Sequence, residues 1–481
     1  VLSLGEKKME KRMFRKGMKW VSLLSAVAIM AGCMAGCGKD AGTTDDQGRT
    51  IISVGGWPTK EGKEKENIEA RKARFEEANK DFVIQGDPWA FDLKSFYSKA
   101  AGGQLPTLYG THFTEISQII AAGYSADITD ALKKQGIYDK INPQVLDLVS
   151  KDGKVYAFPY AAYILGIAFN VDDFQKAGLM NADGTPQQPK TWDELAQFAV
   201  KLKQATGKPG FVFPTANNNG GWQFTQIAWS YGADFMKQDS NGKWKAVFNS
   251  PECAAALQWI KDLKWKYDVL PANTFIDHTE LYKTFGTGGA SMVIGAGDTP
   301  NKLTAYEIDP NSVGMMATPA GPAKWVTLMG GSIWAINNKA NDKQIDGALK
   351  WLETAYTPDA TDEYKKNTEQ GFQTNVANGM LITVKSMSPW ASGSEALKFR
   401  DEMIEKYRNG DEGHVKLYND FVADLGDCEL RPEEPVCAQE LYGVLDNCIQ
   451  EVLTNKDADP AALLEKANSD FQANYLDNLD Y

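Results

Sequence analysis

Residues 50–57, Thr-Ile-Ile-Ser-Val-Gly-Gly-Trp, decide the fold class. The short apolar run reads as a buried strand, stopped by two glycines at a loop. A charged stretch follows in which Ile68, Phe75 and Phe82 recur every seven residues, the stripe of an amphipathic helix. Phe82-Val-Ile-Gln85 begins a second strand, and a helical segment runs on through Phe96, Tyr97 and Ala101. Beyond the loop at residues 102–106, Thr107-Leu-Tyr109 predicts a third strand. Strands alternating with amphipathic helices predict an α/β fold on a mostly parallel sheet covered on both faces. Further on, Thr191-Trp-Asp-Glu194 reads as a capping box, while Ser250-Pro251 and Asp459-Pro460 place a capping side chain ahead of proline. The last ninety residues, rich in Glu, Leu, Asp and Ala at helical spacing, predict a mostly helical end.

Working back to the N-terminus, Lys7, Lys8, Lys11, Arg12, Arg15, Lys16 and Lys19 form a basic run. The apolar run at residues 20–30 falls short of the roughly 20 residues a spanning helix needs. It leads into Met30-Ala-Gly-Cys33 and then Met34-Ala-Gly-Cys37. Both resemble the bacterial lipobox, whose cysteine is acylated and becomes the mature N-terminus. Cys37 is the expected lipid attachment, with Cys33 the alternative, because a polar stretch begins at once after Cys37. Residues 1–37 are therefore expected to be a lipoprotein signal peptide and 38–49 a flexible tether. Such a tether would hold the body at the extracellular face of the cell membrane.

The chain carries a formal charge of −12, and removing residues 1–36, with seven basic and two acidic side chains, leaves −17. A surface that acidic repels phosphate backbones, which argues against nucleic acid as a partner. The remaining body, about 445 residues, exceeds what one core usually holds and predicts at least two lobes. It has no second long apolar stretch. Four cysteines lie outside the lipobox, Cys253, Cys428, Cys437 and Cys448, and none pairs at Cys-x-x-Cys spacing. With three histidines, His112, His278 and His414, no metal centre is expected, and no cofactor motif is found. Cys428 and Cys437 bracket a proline-containing loop and read either as a disulfide or as buried thiols.

A series of short motifs then follows in order: Gly103-Gln-Leu-Pro106, Ala122-Gly-Tyr-Ser-Ala-Asp-Ile-Thr-Asp130 and Asp152-Gly-Lys-Val-Tyr-Ala-Phe-Pro-Tyr160. Leu165-Gly-Ile-Ala-Phe-Asn170, Phe174-Gln-Lys-Ala-Gly178 and Pro189-Lys-Thr-Trp-Asp-Glu-Leu195 continue it, and Phe285-Gly-Thr-Gly-Gly-Ala-Ser-Met292 and Gly330-Gly-Ser332 complete it. Together they resemble the extracellular solute-binding proteins of the maltose-binding type over most of the mature chain. One departure is Thr107, where the family often has aspartate after the proline. The resemblance implies a two-lobed periplasmic-binding-protein-like fold (class II) with a cleft between the lobes and closure around the ligand. It places chain crossings near Tyr160 to Tyr163, near Gly330 to Ser332, and around residue 370. Lobe I would then be 50–160 with 333–370, and lobe II 161–332 with 371–481. It further implies a monomer without enzyme activity that captures a small polar ligand, a mono- or oligosaccharide. The ligand would pass to the transmembrane subunits of an ABC permease.

A sugar offers apolar ring faces and a rim of hydroxyls, so its cleft needs aromatic walls and side chains that both donate and accept. Trp57 after the first strand, Trp222 after residues 217–221, and Trp390 after Met387-Ser-Pro389 are the expected walls. Trp57 alternatively lids the first helix. Trp89 is a weaker candidate, and Trp244, Trp259, Trp265 and Trp351 read as core. Thr111, His112 and Glu115 follow the third strand, where family members contact ligand, and Tyr163 lies on the first crossing. Asp298 sits after Gly295-Ala-Gly297, glycines that let a ligand approach the backbone. Many relatives carry an aromatic there, and an aspartate points instead to hydroxyls or a cationic group. Two rivals remain: an extracellular glycoside-active enzyme, which needs two carboxylates at a set separation, and a sensory or adhesive lipoprotein on the same fold. No nucleophile elbow, metal triad or phosphate loop is found.

Overall fold

The computed structural model describes residues 43–303, 306, 308–382, 387–409, 417–418, 421 and 427–479. Cys33, Cys37 and the rest of the expected signal peptide lie outside the described residues. One eight-stranded sheet threads the molecule. Its strands are β1 (Thr50–Val54), β2 (Phe82–Gly86), β3 (Leu108–His112), β4 (Ala157–Asn170), β5 (Met292–Ala296), β6 (Val313–Ala317), β7 (Val326–Ile336) and β8 (Glu429–Pro432). The order is β6-β4-β7-β3-β1-β2, with β5 also on β4 and β8 on β7. Helices α1 (Lys63–Ala78) and α2 (Leu93–Ala101) alternate with the first three strands, and α3 (Phe113–Ala121) follows β3 directly. Phe75 is buried on α1, while Phe82 opens β2.

The expected mostly parallel sheet is mixed. β1 is parallel to β2 and β3, and β7 to β8. However, β7 is antiparallel to β3 and β4, and β4 is antiparallel to β5 and β6. The reason is that β4 and β7 are long strands shared between two hydrophobic cores. Ala162 of β4 belongs to the first core and Ile164 to the second; Ile333 of β7 belongs to the first and Met329 to the second. Where the strands change lobe, Gly330 pairs with Tyr163. A Cβ on Gly330 would lie 2.4 Å from the Tyr163 ring, and one on Gly331 2.2 Å from the Phe113 ring. Glycine is what allows neighbouring side chains to lie across the strand here.

The second lobe is built from α4 (Trp192–Thr206), α5 (Asn219–Tyr231), α6 (Pro251–Trp265) and α7 (His278–Gly286) around β5, β6 and the far half of β4. Thr191 caps α4 by accepting from the Glu194 N–H at 3.2 Å. Glu194 does not close the expected reciprocal box; its carboxylate reaches one residue further, to the Lys190 N–H at 2.7 Å. Ser250 caps α6 with Pro251 in its first turn.

Helices α8 (Asp362–Ala377) and α9 (Glu395–Tyr407) correct the expected lobe division. Sequence reading gave residues 371–481 to the second lobe, yet Trp390 is part of the first core, edge-to-face with Phe158 at 5.7 Å. Arg74 of α1 also bonds Glu363 of α8 at 3.0 Å. The second core resumes at Leu417. Helical spacing shows that an apolar face exists but not which lobe it seeks. The chain ends with α10 (Ala438–Thr454), packed on α5 and α6, and α11 (Pro460–Asn474), capped by Asp459. Cys253, Cys428, Cys437 and Cys448 are all buried free thiols, so Cys428 and Cys437 are not joined. Burial pushes both of those thiols up to about 12.

Candidate functional site: the cavity between the lobes

A cavity of about 620 Å³ opens where β4 and β7 cross. The first lobe supplies His112, Phe113 and Thr114, from the junction of β3 and α3, and the crossings supply Ala161, Ala162, Tyr163 and Gly331. The remaining wall is second-lobe: residues 217–219 with Trp222 and Gln223, His278 and Tyr282 one turn apart on α7, residues 295–298, and Lys302. Glu433 after β8 and Gln439 and Tyr442 around the start of α10 complete it.

Residues 219–221, just before Trp222, open the first turn of α5. Asp446 of α10 accepts from the Asn218 and Gly221 N–H groups, both at 2.7 Å, satisfying amides that a helix start leaves open. A Cβ on Gly221 would lie 2.2 Å from the Tyr442 carbonyl oxygen, so this glycine permits the close crossing of α5 and α10. Trp222 is thus held by a rigid helix whose start is pinned from a second one.

From there a polar network lines the wall. The Trp222 indole N–H donates to Glu433 at 2.6 Å, and its ring meets His278 edge-to-face at 5.3 Å. Burial and the positive charge of Lys302 push His278 down to about 4, so it is neutral near pH 7. Its Nε2 lies 3.3 Å from the Gln223 side-chain nitrogen and accepts from it in the neutral form. Lys302 pairs with Asp298 at 3.1 Å. Gln223 is 1 % exposed, and its Oε1 has no hydrogen-bond partner among the described residues.

Of the residues chosen from sequence, His112, Tyr163, Trp222 and Asp298 line this cavity. Thr111 and Glu115 do not. Thr111 precedes His112 on β3 and faces inward, 4 % exposed, and Glu115 is 5 % exposed within α3. Trp57 serves α1 instead, donating to Glu69 at 3.0 Å and stacking on Trp351. Trp390 fills the first core and is no cleft wall. Gln223, His278, Tyr282, Lys302, Glu433 and Tyr442 escaped the sequence reading. The spacing of His278 and Tyr282, four apart on a helix, was the one local signal available. Among the described residues, no group of His, Cys, Asp and Glu is placed to hold a metal ion, and no helix is long and apolar enough to cross a membrane.

Two α/β lobes sharing crossing strands around a polar and aromatic cavity define a two-lobed solute-binding protein. A profile of the bacterial extracellular solute-binding protein family matches residues 55–362, and the chain belongs to that family. Among its relatives, the sn-glycerol-3-phosphate-binding periplasmic protein UgpB of Escherichia coli K12 is 25% identical over 340 residues, 66% of this chain and 74% of that one. Maltose-bound MalE3 of T. maritima superposes with a TM-score of 0.62 at 21% identity, covering 88% of this chain and 99% of the other. UgpB of Mycobacterium tuberculosis, in complex with glycerophosphocholine, gives 0.63 at 15% identity, covering 89% and 98%. At these identities the two structures establish the fold. The family is one of extracellular binding proteins, and this chain is a solute-capturing member of it.

Proposed function

We propose that the captured ligand is a small polyhydroxylated solute, a mono- or oligosaccharide, held between the lobes and handed to the transmembrane subunits of the permease. The observation that carries this reading is the joining, on one wall, of the aromatic side chains Trp222 and Tyr282 with the polar side chains of Asn217, Gln223 and Asp298. Ring faces stack on the first kind of group, and hydroxyls satisfy the second. The relatives bind either sugar or phosphate ester, and the charges here favour sugar. Lys302 is already paired with Asp298, and Glu433 adds a further carboxylate, so a phosphate would meet more negative than positive charge. Acylation at Cys37, a tether over 38–49, a monomeric state and a position on the outer face of the membrane complete the proposal.

Thermal denaturation across neutral sugars, polyols and sn-glycerol-3-phosphate tests the ligand class. A cognate ligand at a hundred times its Kd adds about 2.7 kcal/mol of stability. A shift with the phosphate ester and none with any sugar overturns the assignment, and ligand recovered unchanged separates capture from glycoside cleavage. For the anchor, Cys37→Ala releases protein to the medium while Cys33→Ala does not. Retention even in the double variant rules out lipid attachment.

A further inference from the structure

Two consecutive carboxylates after β8 have opposite surroundings. Glu434 is 3 % exposed and ion-paired: its Oε1 accepts from the Trp229 indole at 3.0 Å and from Arg431 at 3.2 Å. Arg431 itself lies over the Trp229 ring and reaches Asp234 at 2.9 Å. Glu433 instead opens on the cavity. It accepts the Trp222 indole N–H at 2.6 Å, and among the described residues it has no ion-pair partner. The lysine on the wall, Lys302, is held by Asp298 at 3.1 Å. The charge of Glu115, behind the opposite wall, disfavours ionised Glu433 further. The Tyr442 hydroxyl, 1 % exposed, lies beside this carboxylate, and Tyr163 feels its charge.

A carboxylate deep in the protein is costly to ionise unless a counter-charge meets it, and aromatic faces attract cations but supply no charge of their own. We propose that the ligand carries a cationic nitrogen, in an amino sugar or a quaternary ammonium group, and that Glu433 receives it beside Trp222, Tyr163 and Tyr442. This rests on the reading of the cavity as the solute site and adds a positive charge to what the solute must carry. Burial holds Glu433 up at about 7, a position that an arriving cation reverses. Burial raises Glu434 to about 7 as well, but there Arg431 already supplies the counter-charge.

The test is calorimetric titration of the mature protein and of Glu433→Gln with two matched pairs at neutral pH. These are glucosamine against glucose, and choline against its neutral tert-butyl isostere. The expected result is that the cationic member of one pair binds about tenfold tighter or more, and that Glu433→Gln erases the preference. The variant should melt no earlier than the wild-type protein, which separates lost recognition from lost folding. Which pair responds tells an amino sugar from a quaternary ammonium. Equal binding of neutral and cationic members, or a preference that survives Glu433→Gln, overturns the proposal. Binding of glucose alone also overturns it and leaves sugar capture standing. Silence from all four probes overturns it too, and the wider sugar and polyol panel then judges sugar capture separately.

Discussion

The two lobes meet at one cavity but contribute unequally to it. The first offers three consecutive residues at the β3–α3 junction, His112, Phe113 and Thr114. The second offers Trp222, Gln223, His278, Tyr282, Asp298, Lys302, Glu433 and Tyr442, tied to one another by hydrogen bonds, ring contacts and an ion pair. Groups already fixed before a ligand arrives cost little to order on binding, so affinity is expected to reside in the second lobe. The first lobe then acts as the surface that closes over a ligand already seated. Scattering in solution should accordingly show a smaller radius of gyration with ligand than without it.

The largest expected effects set one tryptophan from each lobe against the other. Trp390→Ala empties a site that is 7 % exposed in the first core and should cost about 3–5 kcal/mol of stability. Its surviving folded fraction should bind normally. Trp222→Ala should instead weaken binding by about 2–4 kcal/mol, roughly thirty- to a thousand-fold. It should also lower apo stability by less than Trp390→Ala does, since Trp222 is half-buried on the cavity. Melting of the apo protein and affinity, measured on both variants, decide the matter. Normal binding by Trp222→Ala would break the comparison outright.

The unequal lobes also explain how much could be read in advance. The alternation beginning at residues 50–57 carries local information, whereas the crossings expected near Tyr163 and Gly330 rested on the family resemblance. Glu433 and Tyr442 could not be found that way. They approach Trp222 across more than two hundred positions of sequence, and nothing near Glu433 distinguishes it from the other acidic residues. Trp390 fails for the opposite reason: its neighbourhood in sequence looks like a cleft loop, but Phe158 and the first core have room for it. Thr111 and Glu115 were placed by proximity to β3, but alternation along the strand turns Thr111 inward beside the outward His112, and Glu115 is buried on the helix that follows.

A smaller effect compares one carboxylate from each side. Burial raises Glu115 in the first lobe and Glu433 in the second from 4.5 to about 7. In the unfolded chain both ionise near 4.5, so their contribution favours the folded state most below that pH and is lost as pH rises through 7. Each should account for a fall of about 1.4 kcal/mol between pH 6 and 8, at one pKa unit per 1.36 kcal/mol. His278, held down at about 4, works in the opposite direction below its unfolded value of 6.5. The difference between wild type and variant therefore isolates each carboxylate, where a single melting curve does not. Glu115→Gln and Glu433→Gln should each flatten the decline, but only a saturating cationic ligand should depend on Glu433.

The smallest expected effect is the sharpest test of the lid. His112 is an exposed side chain at the end of β3, on the rim contributed by the first lobe. If that lobe closes after the ligand is seated, His112 contacts the ligand only in the closed state. His112→Ala then removes a late contact, and the loss should stay below about 1 kcal/mol, roughly fivefold in Kd. Contacts made after encounter act on escape rather than arrival, so the change should appear in the dissociation rate with association untouched. Stopped-flow recording of tryptophan fluorescence separates the two rates, because Trp222 sits on the cavity wall. A slowed association would mean that the first lobe takes part in initial capture. A loss as large as that of Trp222→Ala would mean that the machinery is shared evenly between the lobes, whatever the uneven distribution of hydrogen bonds implies.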